Sequence, residues 1–329
     1  MTSHVRKSLL FFVSMAATAA CVSSAPSFDF GDGGPPPNAE TGPTAETGTD
    51  ARAPDAGPPC NLNAPFKRSE NQPFQNVNTS TGQVGASLSP DELTVYFEND
   101  HRLAVATRTT VAEPFTNAKP LPMQDAGCEE DDIPAMAADQ KRIFFQCVTG
   151  GTQAGVRTMT RSDPGLAFGN LQDVVVVPTH YKFSPRLHER AGRLELWLSV
   201  TPDGTGNRNG DQIYQFVSTD NGASFGAPIE RTDLNDPNRG DGFAVLTPDG
   251  LQVYFASGRG DPSNSDIYSA TRPNTNADFQ GTTRVDALSD SVGDEAPDWI
   301  SPDGCRLYYH SSRAGGVGGY DLYLAERPK

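Results

Sequence analysis

The sequence has few of the residues that most often bind metal ions. Its 329 residues include five histidines and five cysteines, and no two cysteines are spaced as C-x-x-C. The histidines at His101, His180, His188 and His310 have no paired spacing either. These absences argue against a zinc site built from a standard ligand motif.

Positive charge and long apolar runs are also scarce. There are 26 lysines and arginines against 41 aspartates and glutamates, which gives a formal net charge of −15. This balance argues against nucleic acid and against an anionic membrane surface as partners. After the apolar run at residues 9–20, no second stretch is long enough to span a bilayer.

The N-terminus is typical of an exported protein. Arg6 and Lys7 precede the apolar run, and small residues lead to Cys21, which is the pattern of a secretory signal. Residues 18–21 (TAAC) resemble a bacterial lipobox, which implies that residues 1–21 are a signal peptide and that Cys21 is lipidated. Val22 gives no inner-membrane retention signal, which favours the outer membrane. The alternative is ordinary cleavage, which leaves a soluble secreted or periplasmic protein.

The remainder of the chain divides by composition. Residues 22–59 are rich in Pro, Gly, Ala and Thr and contain almost no large apolar side chains. Such a segment cannot bury enough surface to offset its ordering entropy, so it is predicted to be a disordered tether. Residues 60–329 are the right length for one domain.

This domain contains a repeat of roughly 50 residues, which suits a four-stranded propeller blade. In each copy a turn leads from the first strand into an apolar second strand, and a third strand and a polar turn follow. The five initial turns are SPDE (89–92), AADQ (137–140), HERAG (188–192), TPDG (247–250) and SPDG (301–304). An aromatic residue then opens the fourth strand in the first four copies, at Phe115, Phe168, Phe225 and Phe279. The repeat predicts an all-β, five-bladed β-propeller.

The last copy stops at Lys329 without a fourth strand, and Phe66 near the N-terminus matches the missing aromatic. We therefore expect an N-terminal strand to complete the C-terminal blade, which closes the ring. Four cysteines besides Cys21 allow three disulfide connectivities. The predicted hairpin favours Cys128 with Cys147, which leaves Cys60 with Cys305.

Residues 247–273 and 301–328, with their TPDG and SPDG turns, resemble the WD40-like Pro-Asp repeat of TolB-like propellers. The resemblance departs where AADQ and HERAG replace the Pro-Asp turn. It implies a six-bladed alternative to five blades, and it implies no catalytic residues.

Candidate site residues come from the loops that enter the innermost strands, because these loops converge at one rim of a propeller's channel. They are Glu130, Asp131, Asp132, Tyr181, Lys182, Asp241, Asp294 and Glu295. Clustered carboxylates could hold Ca²⁺ or supply an acid and a base for glycoside cleavage. The alternative is that they only solvate the rim and cap turns. No other cofactor is indicated.

The Asp-box pattern at residues 218–225 is interpreted as a structural turn, because Asp accepts backbone N–H bonds there and Gly takes a positive φ. The function favoured by the sequence is a monomeric, non-catalytic binding or scaffold propeller at the bacterial cell envelope, for protein, peptide or glycan. The alternative is an envelope glycoside hydrolase that uses Glu130, Asp132, Asp241, Asp294 and Glu295.

Overall fold

A computed structural model of the chain describes residues 60–150, 153–175, 184–190, 192–201, 210–261 and 263–329. Within these ranges all regular structure is β, and twenty strands form five four-stranded antiparallel sheets. The predicted five-bladed propeller is confirmed. No helix long and apolar enough to cross a bilayer occurs among the described residues.

Four blades use consecutive strands and the fifth uses both ends of the domain. The strands of blade 1 are β2 (Gln83–Leu88), β3 (Thr94–Asn99), β4 (Leu103–Thr107) and β5 (Thr116–Pro120). Those of blade 2 are β6 (Glu130–Met136), β7 (Arg142–Thr149), β8 (Gln153–Thr160) and β9 (Gly169–Val175). Those of blade 3 are β10 (Arg186–Arg190), β11 (Arg193–Val200), β12 (Gln212–Ser218) and β13 (Ile229–Glu230). Those of blade 4 are β14 (Asp241–Leu246), β15 (Gln252–Asp261), β16 (Asn264–Thr271) and β17 (Gln280–Arg284). Those of blade 5 are β18 (Glu295–Ile300), β19 (Arg306–Ser311), β20 (Asp321–Glu326) and β1 (Lys67–Arg68).

The ring closes as predicted. Strand β1 pairs with β20, with Lys67 opposite Glu326. Both predicted disulfides are confirmed: Cys60 pairs with Cys305 and Cys128 with Cys147, with Cα separations of 5.8 and 5.4 Å. Two disulfides are typical of proteins that mature in an oxidising, exported environment.

The Pro-Asp turns repeat the same pattern of hydrogen bonds. In blade 5 the Asp303 Oδ1 accepts a bond from Cys305 N at 3.0 Å, and Ser301 Oγ accepts one from Arg306 N at 2.9 Å. Blade 1 repeats both bonds through Asp91 and Ser89, and blade 4 repeats them through Asp249 and Thr247. Blade 3 differs from the sequence prediction, because His188 lies within strand β10 and not in the turn that follows it.

An arginine that the sequence analysis did not single out follows the third strand in four blades, at Arg108, Arg161, Arg272 and Arg327. Each guanidinium lies over the aromatic residue that precedes the fourth strand, 4.2 to 4.4 Å from the ring centre. Three of these arginines also donate to a tyrosine hydroxyl of the neighbouring blade, as Arg161 does to Tyr96 at 2.8 Å. These three arginines therefore each join their own turn to the preceding blade of the ring. Thr219 occupies this position in blade 3.

Candidate functional site

The five innermost strands, β2, β6, β10, β14 and β18, line the central channel. Two cavities open at its ends. We call the end where these strands begin the upper mouth. Its cavity is lined by Val84 and Asp132, which lie near the start of β2 and β6. We call the other end the lower mouth, where Leu88, Met136 and Ile300 end their strands beside the Pro-Asp turns.

Four of the residues near the start of these strands share one register position, and their side chains accept hydrogen bonds from neighbouring loops and strands. They are Gln83, Asp131, Asp241 and Glu295. Each is buried, and each accepts a backbone N–H bond. Gln83 accepts from Thr79, Asp131 from Leu103, Asp241 from Asp236 and Glu295 from Asp290, at 2.5 to 3.0 Å. These side chains anchor the loops at the rim.

Two of the acids at this position are also paired with an arginine, Asp131 with one of blade 1 and Asp241 with one of its own blade 4. Arg102 donates to Asp131 at 2.5 Å, and Arg259 donates to Asp241 at 2.8 Å. Burial raises the pKa of the Asp241 and Glu295 carboxyls above their ordinary values. Three of the predicted site residues, Asp131, Asp241 and Glu295, therefore hold the scaffold and do not point into the channel cavity.

The upper-mouth cavity is the larger one, with a volume of about 480 Å³. All five blades contribute to its wall. Its lining includes Glu98, Asp100, His101, Glu130, Asp132, Gln146, Asp211, Phe243, His310 and Tyr320. Five of these residues are acids, and the described residues of the lining include no lysine or arginine. The cavity therefore favours a ligand that carries positive charge.

Three carboxylates surround one imidazole on the wall between blades 1 and 2. His101 Nδ1 lies 3.5 Å from Asp132 Oδ1, 3.6 Å from Glu98 Oε1 and 3.7 Å from Glu130 Oε2. His101 belongs to the tight β3–β4 turn, where it has a φ of +60°. Asp132 and Glu130 alternate with Asp131 along β6, so they face the opposite side of the strand from Asp131.

Asp132 is the buried member of this group. Only 6% of its surface is exposed, and its Oδ1 has no hydrogen-bond partner. Burial raises the pKa of the Asp132 carboxyl to about 6, and the negative charges of Glu130 and Asp131 act in the same direction, whereas His101 opposes them. A nearby positive charge would favour its ionised form.

A cluster of buried polar side chains forms the floor of the cavity and separates it from the lower mouth. Arg186 of β10 donates to Asp298 of β18 at 2.6 Å, and His310 Nδ1 lies 2.9 Å from the same oxygen. The Phe243 ring packs 5.3 Å from both the Arg186 guanidinium and the His310 ring. The channel is thus closed near its middle, and each mouth is a separate pocket.

Two other predicted residues, Asp241 and Asp294, line a smaller cavity of about 210 Å³ together with Asp211 and Asn264. Asp294 also accepts a bond from Tyr320 Oη at 3.0 Å. Tyr181, Lys182 and Cys21 lie outside the described residues, as do the predicted signal peptide and tether. Of the eight predicted site residues, Glu130 and Asp132 are the two that lie together in the upper-mouth wall.

Glu98 and His101 are the members of the site that sequence reasoning missed. Both belong to the β3–β4 hairpin of blade 1, about thirty residues before the acids of blade 2. The available signal was the turn sequence NDHR at residues 99–102, which follows the second strand of blade 1. The predicted site residues came instead from loops that precede the first strand of a blade. Loops between the second and third strands reach the same mouth.

The Asp-box turn is structural, as predicted. Asp220 Oδ1 accepts bonds from Ser218 Oγ and Ser224 N at 2.7 and 2.9 Å. The hydrogen bond from the Ser224 hydroxyl, together with these two, lowers the pKa of the Asp220 carboxyl. The same turn spells G-x-S-x-G over residues 222–226. It connects two strands, however, and Ser224 Oγ donates to Asp220 at 2.5 Å. It is therefore not a nucleophile elbow, which requires a strand-to-helix turn.

Comparisons with known proteins find similar structures but no similar sequence. No protein-family model matches the chain, and no curated protein matches it. It is similar to the endo-arabinase from Bacteroides thetaiotaomicron, with 14% identity over 78% of this chain and 97% of that chain and a TM-score of 0.56. It is similar to the α-L-arabinofuranosidase from Podospora anserina, with 12% identity over 81% and 98% and a TM-score of 0.53. TolB from Acinetobacter baumannii matches with 15% identity over 75% and 55% and a TM-score of 0.44. At these identities the two hydrolase matches show the fold alone, and the TolB match is too distant to support an argument.

Proposed function

We propose that this protein is a non-catalytic binding propeller of the bacterial cell envelope, and that its upper mouth holds a positively charged segment of a polypeptide. The observation that carries the proposal is the cavity of about 480 Å³ to which all five blades contribute and whose described lining has five acids and no lysine or arginine. The negative charge of these acids would attract a lysine or arginine side chain that enters the cavity. Rigid closed scaffolds with variable loops suit such recognition.

The test is calorimetric titration of the full chain with a hexalysine peptide, at 0.15 M salt and with EDTA present. We expect saturable binding of one peptide per chain. The Glu130→Gln/Asp132→Asn variant should weaken it about tenfold or more, since hydrogen bonds to charged groups contribute roughly 1.5–3 kcal/mol each. The matched control is Asp278→Asn/Asp286→Asn, which removes two exposed carboxylates remote from the cavity lining.

An equal loss of affinity in the control would mean that the peptide is attracted by the acidic surface in general, and the proposal would then be wrong. No binding by the parent protein would also reject a basic peptide as the ligand.

A glycoside hydrolase is the second candidate, and one observation favours it. Asp132, with its pKa raised to about 6, lies beside Glu98 and Glu130 around one imidazole. A carboxyl with a raised pKa beside a second carboxyl is the arrangement that such enzymes use as acid and base. Release of product from chromogenic arabinosides or xylosides by the parent protein, lost in Asp132→Asn, would replace the binding proposal with this one.

We propose further that Cys21 carries a lipid anchor and that residues 22–59 tether the propeller to the outer membrane. The signal-like N-terminus and the two disulfides support an exported location. The repeated hydrogen bonds of the Pro-Asp turns support assignment of the repeat to the WD40-like Pro-Asp type.

The anchor predicts a change of location in the Cys21→Ser variant. Without the thiol, no lipid can be attached, so the protein should move from the membrane fraction to the soluble fraction of expressing bacteria. Fractionation and labelling with a radioactive fatty acid measure this. A Ser23→Ala variant is the control, because it changes the same segment and leaves the thiol in place. Membrane association that persists in Cys21→Ser would contradict the anchor.

A further inference from the structure

We infer that Glu98, His101 and Asp132 form a binding site for a divalent transition-metal cation, with zinc as the best match. The inference goes beyond the proposed function, because a metal bound in this wall requires no peptide ligand. The three residues each offer one ligand atom, and these atoms all lie within 4.8 Å of one another.

The spacing of the ligand atoms fits a small cation. In a four-coordinate zinc site with bonds of about 2.0–2.1 Å, neighbouring ligand atoms lie about 3.3 Å apart. His101 Nδ1 is 3.5 Å from Asp132 Oδ1 and 3.6 Å from Glu98 Oε1. All three residues line the upper-mouth cavity, from which a metal ion could reach them.

An independent observation at Asp132 also indicates a missing cation. Its Oδ1 is buried and has no hydrogen-bond partner, although the other oxygen, Oδ2, lies 3.5 Å from Gln146 Nε2. A buried polar atom without a partner is costly. Since Oδ1 points at His101 Nδ1, a cation between them would satisfy both atoms.

The chemistry of the ligands selects the metal. One imidazole nitrogen and two carboxylate oxygens suit zinc and related transition metals, whereas calcium prefers oxygen ligands alone. Catalytic and exchangeable zinc sites commonly have three protein ligands and one open position. A bound divalent cation also leaves the five-acid lining with a net negative charge, so the site is compatible with the proposed function.

The test is calorimetric titration of Zn²⁺ into the full chain, without peptide and in a Cys21→Ser background that removes the free thiol. We expect one high-affinity Zn²⁺ per chain. His101→Asn and Asp132→Asn should each weaken Zn²⁺ binding about 100-fold. Losses of up to about this size follow even when the residue removed only hydrogen-bonds to a metal ligand. Asparagine tolerates the positive φ of His101, so the turn should be retained. X-ray absorption should show one imidazole nitrogen and oxygen neighbours, with no sulfur.

Asp100→Asn is the matched control, since Asp100 is exposed, lines the same cavity and precedes His101 in the same turn. Its Zn²⁺ affinity should change less than threefold. An equal loss in this control, no loss in His101→Asn, or competition by Ca²⁺ at similar concentrations would each overturn the site. Urea unfolding in EDTA should give the same midpoint for all variants, which separates loss of metal from loss of fold. Because no peptide is present, a failure here leaves the proposed function standing, and the reverse is also true.

Discussion

The double variant Cys60→Ser/Cys305→Ser should lose about 5 kcal/mol of unfolding free energy, because the disulfide closes a long loop. The two cysteines are 245 residues apart in sequence. In the chain-entropy model the stabilisation grows with the logarithm of loop length, and this span is at the upper end of its range. The bond also lies at the closure of the ring, where β1 contributes only two residues to the ladder with β20.

The second disulfide provides the matched control. Cys128 and Cys147 are 19 residues apart, so Cys128→Ser/Cys147→Ser should lose about 3 kcal/mol. Urea unfolding followed by tryptophan fluorescence measures both variants. A larger loss for the short loop than for the long one would contradict the idea that ring closure is the main role of the Cys60–Cys305 bond.

Phe168→Ala should lose about 4 kcal/mol, as expected for a large core side chain. Phe168 is 1% exposed, and the Arg161 guanidinium lies 4.2 Å from its ring centre. Removing the ring leaves a cavity and takes away the surface that orients Arg161, which also bonds to Tyr96 in blade 1. The loss should therefore include contacts between blades 1 and 2.

Phe225→Ala, at the equivalent position of blade 3, should lose only about 2 kcal/mol. Phe225 is half-buried, and no described arginine stacks on it. The two variants remove the same atoms, but Phe168 is more deeply buried than Phe225 and has an arginine stacked on its ring. The difference between the two losses therefore measures the combined contribution of the arginine stack and the deeper burial. Equal losses in thermal or urea unfolding would show that the arginine stack and the deeper burial of Phe168 add nothing to stability.

The architecture could be predicted from the sequence because its signals are local and repeated. Pro-Asp turns fix the hairpins, and a position such as Phe115 or Phe279 recurs at the same point of each copy. Closure could be predicted too, since Phe66 completes the series at the other end of the domain. The arginine that follows the third strand had an equally regular signal, but its role depends on a stack and an interblade bond that only the folded structure brings together.

The candidate site was only partly predictable, for two physical reasons. The first is alternation: Asp131 and Asp132 are adjacent in sequence, yet Asp131 bonds to strand β4 of blade 1 and Asp132 faces the cavity. Gln83 of blade 1, which occupies the same position as Asp131 of blade 2, was the available hint. A neutral amide at this position indicates that the side chain is needed as a hydrogen-bond acceptor and not for its charge. The second is that His101 reaches the acids from a different blade, through a hairpin whose spatial neighbours no local pattern reveals.

The position of Cys60 has a mechanical consequence. A force that pulls on the chain from the N-terminal side reaches Cys60 before it reaches β1, and the disulfide passes the load to Cys305, next to strand β19. The two-residue strand β1 is therefore shielded from tension by a covalent bond. Tension applied at the N-terminal side of the domain would therefore not peel the propeller open from its outermost strand inward.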